Sequence, residues 1–557
     1  MQNLLNNLKT LLQKDERLVS EGELLKNKII ELALKTDKDL IELLLTDKQI
    51  KEVFFTEVGK ATIFDKDKFI KFVSNKQFLP DSYTAFKNKI GLIDEKDEFI
   101  SEKKDVVLSW PYKDCVLEGG MTKEDQKRDE IFWNETLAPD EISRLLDPKV
   151  FTNAKRIDKD GEHKLEKFKT DENGNIKDNL IIKGNNLLAL HSLKKRFAGK
   201  VKLIYIDPPY NTGGAEDTFK YNDRFNHSTW LVFMKNRLEI AKDLLAKEGA
   251  IYVQLDYNEV HYCKVLMDEI FGRENFQREI IWRIGWISGY KTADKNWIRN
   301  HDTILFYSKN KNQLEFYKKY IPYPKDYIRR DGSKPEGAGY PYEDTWNCNE
   351  LDPLNSIAIV SFSKEKVGDF KGQKNEALIR RIIEAHTKVG DVVLDFFSGT
   401  GTTASISHKL GRQWITIEQI DEQMEKQINR LKKVLNGDQS GISKSVDWKG
   451  GGDFVYLELA KWNENFVEKI QKAKTNEELK KLWETMKEKA FLSYKVDIKA
   501  VDKNAKDFAD LSIEDQKRFL LECLDKNHLY VNYSEIDDEE YGISKEDKKL
   551  NKDFYKW

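Results

Sequence analysis

The sequence predicts an open α/β sheet with helical regions before and after it, and three observations carry the prediction. Continuous apolar runs bounded by turn residues recur from Asn179 onward, the pattern of parallel strands buried on both faces. Segments with apolar residues at helical spacing lie between these runs, so strand and helix alternate. The stretches on either side are charged and keep the 3.6-residue period without such runs.

In chain order, Leu4, Leu5, Leu8, Leu11 and Leu12 share a helical face and ELLKNKIIELALK repeats the spacing, which predicts a helical N-terminal domain over 1–110. Residues 111–308 hold the first half of the sheet, with strands in NLIIKGNN, VKLIYIDPPYN and GAIYVQLD. A helix over Thr229–Lys247 presents Trp230, Phe233, Met234, Leu238, Ala241, Leu244 and Leu245, with Gly249 as its stop. The second half, 371–445, supplies DVVLDFFSG and WITIEQ, with the helix ASISHKLGR between them closing near Gly411. A segment over 309–370 separates the halves. After Gly450-Gly451-Gly452 the charged helical pattern of KWNENFVEKIQKAKTNEELKKLWETMKEKA begins, giving a C-terminal helical domain over 446–557.

At 557 residues the chain exceeds one hydrophobic core, and 39% apolar residues with 12 Trp, 22 Tyr and 29 Phe exclude a mainly disordered polymer. Cys115, Cys263, Cys348 and Cys523 are too scattered for a zinc or disulfide framework, and the four are expected to be ordinary buried or half-buried thiols. No apolar run reaches the roughly 18 residues a membrane span needs, so no membrane association and a cytoplasmic location are expected. Net charge is −2, and any nucleic-acid surface must therefore be a local patch. Between Arg278 and Glu336 thirteen basic residues face seven acidic ones, a net of +6, interleaved with Trp282, Trp286, Tyr290, Trp297, Tyr317, Tyr320, Tyr323 and Tyr327. That mixture suits phosphate contact and base stacking, or else a solvated face over an aromatic core.

Two motifs carry chemistry. In DFFSGTGTT, Gly399 and Gly401 follow a buried strand and precede a helix, which lets the backbone approach a nucleotide-type ligand at a helix N-terminus. Glu418 ends the next strand some twenty residues on, where a carboxylate accepts ribose hydroxyls. Ala404 stands at the third glycine position that a dinucleotide oxidoreductase prefers. The second motif, Asp207-Pro208-Pro209-Tyr210, ends another buried strand. Two prolines stop the ladder and rigidify a loop whose Asp207 carboxylate and Pro208 carbonyl accept from an amine, while Tyr210 offers a face for an extruded base. A plain Pro-Pro turn is the bland alternative for the tetrapeptide alone.

DPPYNTGG followed by LDFFSGTGTT resembles the β class of amino-methyltransferases, in which the target-base half precedes the cofactor half by circular permutation. The wider pattern, LIIKGNNLLAL…VKLIYIDPPYNTG…GAIYVQLDYNEV…GQKNEALIRRII…VLDFFSGTGTT, together with VSEGELLKNKIIELALK, SWPYKDCVLEGG and FLSYKV, is similar to the modification subunits of type III restriction-modification systems over almost the whole chain.

The resemblance implies a Rossmann-like, circularly permuted methyltransferase core dependent on S-adenosyl-L-methionine, with Asp207, Pro208, Pro209 and Tyr210 as the catalytic loop. It implies Asp395, Phe397, Gly399, Gly401 and Thr402 as the methionine-side turn, Glu418 on the ribose, and Gln373, Lys374 and Asn375 flanking the methionine moiety. A side chain at Gly401 is then expected to enter the methionine space. Asn185 falls where many relatives carry an Asp near the cofactor adenine, and Asp256 is either a pocket residue or a strand cap. Residues 309–370 become a target recognition insert, with Arg329 and Arg330 reaching a guanine edge or a phosphate, or forming a solvated turn pair.

The implied reaction is N6 methylation of a flipped adenine in double-stranded DNA without a metal. Asp at the first motif position favours adenine over cytosine N4, where Ser is more frequent. The implied partners are a second copy in a homodimer and a separate restriction subunit, an ATP-dependent translocase and nuclease, since this chain carries no GxxxxGK[ST] phosphate loop. RNA or protein amine methylation, and a binding module with an inactive cofactor fold, are the competing classes.

Overall fold

The computed structural model describes residues 2–74, apart from 21, 22 and 60, and 144–556, apart from 213–225, 286–294, 349–353, 355–364, 368–371, 494 and 495. Cys115 with the SWPYKDCVLEGG segment, Trp286, Tyr290 and parts of the 309–370 insert and of FLSYKV lie outside the described residues. The chain divides into two compact units, Met1–Lys104 and Asp105–Trp557.

The first unit is mainly helical, as its periodicity predicts. Helices Gln2–Leu12, Lys26–Leu34, Lys38–Leu45, Lys48–Phe54 and Lys66–Ser74 surround a short hairpin of Phe55–Val58 with Ala61–Phe64. Asp37 and Asp47 cap their helices by accepting the N–H of Leu40 and Ile50 at 3.0 Å each. Leu8, Leu12, Ile29, Leu40, Leu44, Ile50, Phe54 and Phe69 form its core.

The second unit is built on an eleven-stranded sheet. In chain order the strands are β1 (Phe151–Asp158), β2 (Gly161–Lys164), β3 (Leu180–Lys183), β4 (Val201–Ile206), β5 (Leu245–Leu255), β6 (Phe276–Arg283), β7 (His301–Ser308), β8 (Thr345–Trp346), β9 (Val392–Asp395), β10 (Gln413–Glu418) and β11 (Phe454–Leu459). Their spatial order is β8-β6-β7-β5-β4-β9-β10-β3-β11-β1-β2. The six central strands, β5 to β11, pair in parallel, and β7 enters antiparallel beside β5. Parallel strands need crossover helices. These are α1 (Asn186–Phe197), α2 (His227–Leu244), α3 (Val260–Phe271), α4 (Glu376–His386), α5 (Thr402–Lys409) and α6 (Asp421–Leu435). All the apolar runs singled out in the sequence are strands of this sheet. The result is the open α/β sheet that the alternation predicts, in the Rossmann-like form that the resemblance implies.

The topology positions the site. From β4 the chain winds outward to β5; from β9 it winds the other way, to β10. The strand order therefore reverses between the neighbours β4 and β9, and the gap beyond their carboxyl ends is where an open α/β sheet binds ligands.

Two sequence boundaries shift. Helix α2 ends at Leu244 and not near Gly249, because Leu245 is already extended and pairs with Val201. Gly249 lies inside β5, where an added Cβ would sit 3.0 Å from the carbonyl oxygens of Ala246, Lys202 and Val201.

The C-terminal region does not leave the sheet at 446: FVYLEL forms β11, parallel to β3 and antiparallel to β1, because this short apolar run is buried on both faces. Beyond it the chain is helical and packs back. In helix Lys545–Tyr555, Asn551 exchanges two hydrogen bonds with the Phe151 backbone and Tyr555 donates to the Lys149 carbonyl at 2.6 Å.

Within 309–370, Tyr320–Ile321 pairs with Tyr340–Pro341 as a small hairpin, and β8 then joins the sheet edge beside β6.

Candidate active site

Strand β4 ends at Ile206, and the prolines that follow deny the ladder its donors. Pro208 and Pro209 are buried, and the Pro209 carbonyl accepts the Trp230 indole N–H of α2 at 2.8 Å, which pins the loop to that helix. Tyr210 donates to Asp302 Oδ2 at 3.2 Å, and Gln254 Nε2 donates to the same oxygen at 3.0 Å. Gln254 in turn accepts the Tyr205 hydroxyl at 2.7 Å, and Arg299 pairs with Asp302 from the other side. The loop is thus fixed from strands β5 and β7 by a buried polar network in which each member restrains the next.

Asp207 Oδ2 accepts from Lys374 Nζ at 2.5 Å, whereas Oδ1 is buried and has no hydrogen-bond partner among the described residues. Burial pushes the Asp207 carboxyl above its ordinary range, while the Lys374 ammonium pulls it back down. Burial likewise holds the Tyr205 and Tyr210 phenols far above theirs, so both stay neutral.

Opposite, β9 runs into the glycine turn. Asp395 Oδ1 accepts the Phe397 N–H at 3.0 Å and Oδ2 the Thr403 hydroxyl at 2.6 Å, so this carboxylate shapes the turn. Glu418 Oε2 accepts the Gly399 N–H, and its Oε1 the N–H groups of Gln419 and Ile420, each at 2.9 Å. Burial pushes Asp395 and Glu418 each up to about 7, in Glu418 against the three N–H donors that favour its ionised form.

A cavity opens between the two loops. Asp207, Pro209, Gln373, Lys374, Asp395, Phe397, Ser398, Gly399, Thr402 and Glu418 line it.

The structure therefore brings most of the expected residues together, but with changed parts. Gly399 (φ +49°) has open space where a Cβ would point. Gly401 (φ +75°) does not face the cavity: a Cβ there would lie 2.5 Å from Gln427 Cγ, so glycine is required by packing and by its left-handed backbone. Gln373 spends its side chain on the Val367 N–H and the Glu365 carbonyl, and Asn375 caps α4 by accepting the Leu378 N–H at 2.7 Å. Of that tripeptide, Lys374 alone sends a charged group to the loop after β4.

Asn185 caps α1 by accepting the Leu187 N–H at 3.0 Å. It follows Gly184, whose N–H donates to the Glu418 carbonyl at 3.0 Å, and its own Nδ2 is buried without a partner among the described residues. Asp256 accepts the backbone N–H and side-chain amide of Asn258, as a strand cap does.

Arg329 and Arg330 are exposed in the hairpin arm, where Tyr323, Tyr327 and Tyr340 cluster with ring centroids 4.7–5.6 Å apart. Part of the basic excess is used elsewhere: Arg299 on Asp302, Lys309 on the Leu245 carbonyl and Lys319 on Glu384.

Sequence reasoning missed the supports, which are long-range and carry no local signal. Arg237 of α2 donates to Asn186 at 2.7 Å, and Asn186 donates to the Phe396 carbonyl at 2.8 Å, tying the two halves together at the turn. Behind it, buried Glu376 accepts from Lys409, Arg430, Ser405 and the Ile442 N–H, locking α4, α5 and α6. Such a buried ion cluster holds only when every lone pair is met.

Two family models match the chain: "DNA methylase" over residues 201–430, and "Type III restriction/modification enzyme methylation subunit" over residues 37–92. The probable type III restriction-modification enzyme HindVI Mod subunit of Haemophilus influenzae is 36% identical, with 96% of this chain and 95% of that protein covered. The type III restriction-modification enzyme EcoP15I Mod subunit of Escherichia coli is also 36% identical, over 26% of each chain. Among solved structures, that of the M1.HpyAVI–SAM complex is 20% identical, covers 45% of this chain and 98% of that one, and has a TM-score of 0.31.

Proposed function

Because the chain belongs to the methylation subunits of type III restriction-modification enzymes, it is a DNA methyltransferase, and we propose that it methylates the N6 amine of adenine in double-stranded DNA with S-adenosyl-L-methionine as donor. One observation carries the adenine-amine reading: Asp207 Oδ1 is a buried acceptor without a donor among the described residues, in the wall of a cavity whose other side is the glycine turn and Glu418. A buried acceptor left unpaired costs about 1–3 kcal/mol, which a substrate N–H recovers.

The residues present suit the donor. Space beside Gly399, the fixed Glu418 carboxylate with lone pairs left for ribose hydroxyls, and the half-buried Phe397 ring give it a backbone-lined cradle. S-Adenosylmethionine supplies an already activated methyl group, so the protein's work is positioning. Asp207 Oδ1 and the Pro208 carbonyl accept the two N–H bonds of the amine and aim its lone pair across the cavity, while Tyr210, held by Asp302, stacks on the extruded base. Asp at position 207 supports adenine over cytosine.

By the same family reading, the hairpin arm with Arg329 and Arg330 contacts the DNA, and the chain works as a homodimer beside a separate restriction subunit that supplies ATP-driven translocation and cleavage. Transfer of labelled methyl groups to unmethylated duplex DNA, single-stranded RNA and a lysine-rich protein tests the substrate class. Label is expected in duplex DNA; equal or faster labelling of RNA would favour the rival reading.

A further inference from the structure

Lys374 lies just before α4, on the segment that closes the cavity, and its side chain is 7% exposed. Its ammonium reaches Asp207 Oδ2 at 2.5 Å and sits 5.2 Å from the centre of the Tyr210 ring, while its own carbonyl accepts the Thr402 hydroxyl of α5 at 3.4 Å. One residue thus touches the carboxylate and the aromatic face of the catalytic loop and the helix that follows the glycine turn. The family resemblance assigns this tripeptide to the methionine end of the donor; the geometry assigns its charge to the acceptor side.

We infer that Lys374 is a positioning residue for the target amine: by holding Oδ2 it keeps Asp207 ionised and oriented, leaving Oδ1 as the acceptor for the base. The inference rests on the reading of Asp207 as amine acceptor given above. A carboxylate has two oxygens, and here one is committed to a protein cation while the other is buried and has no hydrogen-bond donor among the described residues. A carboxylic acid in the same place would carry a proton where the amine must donate, and would accept more weakly.

Besides Lys374, the Tyr210 hydroxyl also favours the ionised form of Asp207, and the remaining charged groups nearby act against it. Asp302, at the start of β7, and Asp395, across the cavity, are like charges, with Arg299 spent on Asp302. Tyr205 and Tyr210 are uncharged, and burial itself favours the acid form. Among the described residues Lys374 is the cation in contact with Asp207.

Because Lys374→Met removes the compensating charge, the variant's Asp207 binds its proton more tightly and regains its charge only at a higher pH than in the wild type. The test is the single-turnover rate of methyl transfer to unmethylated genomic DNA between pH 5.5 and 9.5, at saturating S-adenosylmethionine. Lys374→Arg, which keeps the charge, is expected to share the wild-type pH profile. Lys374→Met and Lys374→Gln are expected to lose roughly tenfold per pH unit below a shifted midpoint and to approach the wild-type rate at high pH. Donor affinity, measured by calorimetry on the same proteins, is expected to change less than threefold.

A loss equal at every pH in both neutral variants overturns the inference, as does a defect confined to donor affinity. Should the methionine variant not fold, the glutamine variant and the arginine profile decide. Wild-type protein that methylates no DNA would instead sink the parent reading.

Discussion

Gly399 and Gly401 both lie in the turn after β9, and alanine at each should fail for a different reason. At Gly399 the backbone is left-handed (φ +49°) and a Cβ meets nothing within 4 Å. The substitution therefore costs about 1–2 kcal/mol of backbone strain. Gly399 lines the cavity, however, and a methyl group that overpacks a ligand there costs about 1–3 kcal/mol, roughly five- to 150-fold in affinity. At Gly401 the same strain applies, and the Cβ also lands 2.5 Å from Gln427 Cγ. Gln427 cannot swing aside freely, because it accepts the Ser398 hydroxyl at 2.9 Å and donates to the Thr416 hydroxyl at 2.6 Å. Losing both buried bonds adds about 2 kcal/mol, for a total of roughly 3–4 kcal/mol. Thermal unfolding of the unliganded proteins and calorimetric titration with S-adenosylmethionine separate the two effects. Gly399→Ala is expected to melt close to wild type and bind weakly; Gly401→Ala is expected to melt clearly lower, with its affinity loss tracking instability. A Gly401→Ala protein as stable as wild type but unable to bind would refute this assignment.

Asp207→Ala and Tyr210→Ala should each slow methyl transfer by roughly 100-fold or more while circular dichroism and donor affinity stay unchanged, because both act on the base; wild-type turnover in either excludes the loop. Trp230→Phe removes the donor to the Pro209 carbonyl, so a loss of about 1–3 kcal/mol in stability and a slower methyl transfer at unchanged donor affinity are expected, and an unaltered rate would mean the loop needs no such pin. Glu418, raised from 4.5 to about 7, binds its proton more tightly folded than unfolded, so its ionisation makes the unliganded protein less stable as pH climbs from about 4.5 to 7, with no further change above that. The stability gap between Glu418→Gln and wild type should widen across that window and then level off, and a constant gap in melting temperature from pH 5 to 8 would contradict the shift. Exchanging residues 309–370 for the insert of a relative should change the methylated sequence at constant donor affinity; an active chimera with an unchanged methylation map places recognition elsewhere.

The central sheet was legible because its strands are continuous apolar runs, and the two motifs because proline pairs and glycine turns at strand ends have few structural uses. What stayed hidden depends on partners distant in sequence. Nothing near FVYLEL says that β3 leaves an open edge for it, so glycines 450–452 looked like a domain boundary. Gly401 and Gly399 are two residues apart in one motif, and only the position of Gln427, on α6, distinguishes the packed one from the open one. Gln373, Lys374 and Asn375 read as one ligand-flanking tripeptide, yet successive side chains diverge: one secures a loop, one pairs with Asp207 across 167 positions of sequence, one caps a helix. Asp302, Gln254 and Trp230 carry no motif at all, and their roles follow from β5, β7 and α2 converging on the loop after β4.

The most direct test of the adenine-amine reading is to incubate unmethylated genomic DNA with the protein and S-adenosylmethionine, then identify the modified nucleoside and its sequence context by mass spectrometry and single-molecule sequencing, with Asp207→Ala as the blank. N6-methyladenine at one recurring sequence, absent from the blank, is the predicted result; N4-methylcytosine, or marks that persist with Asp207→Ala, would contradict it.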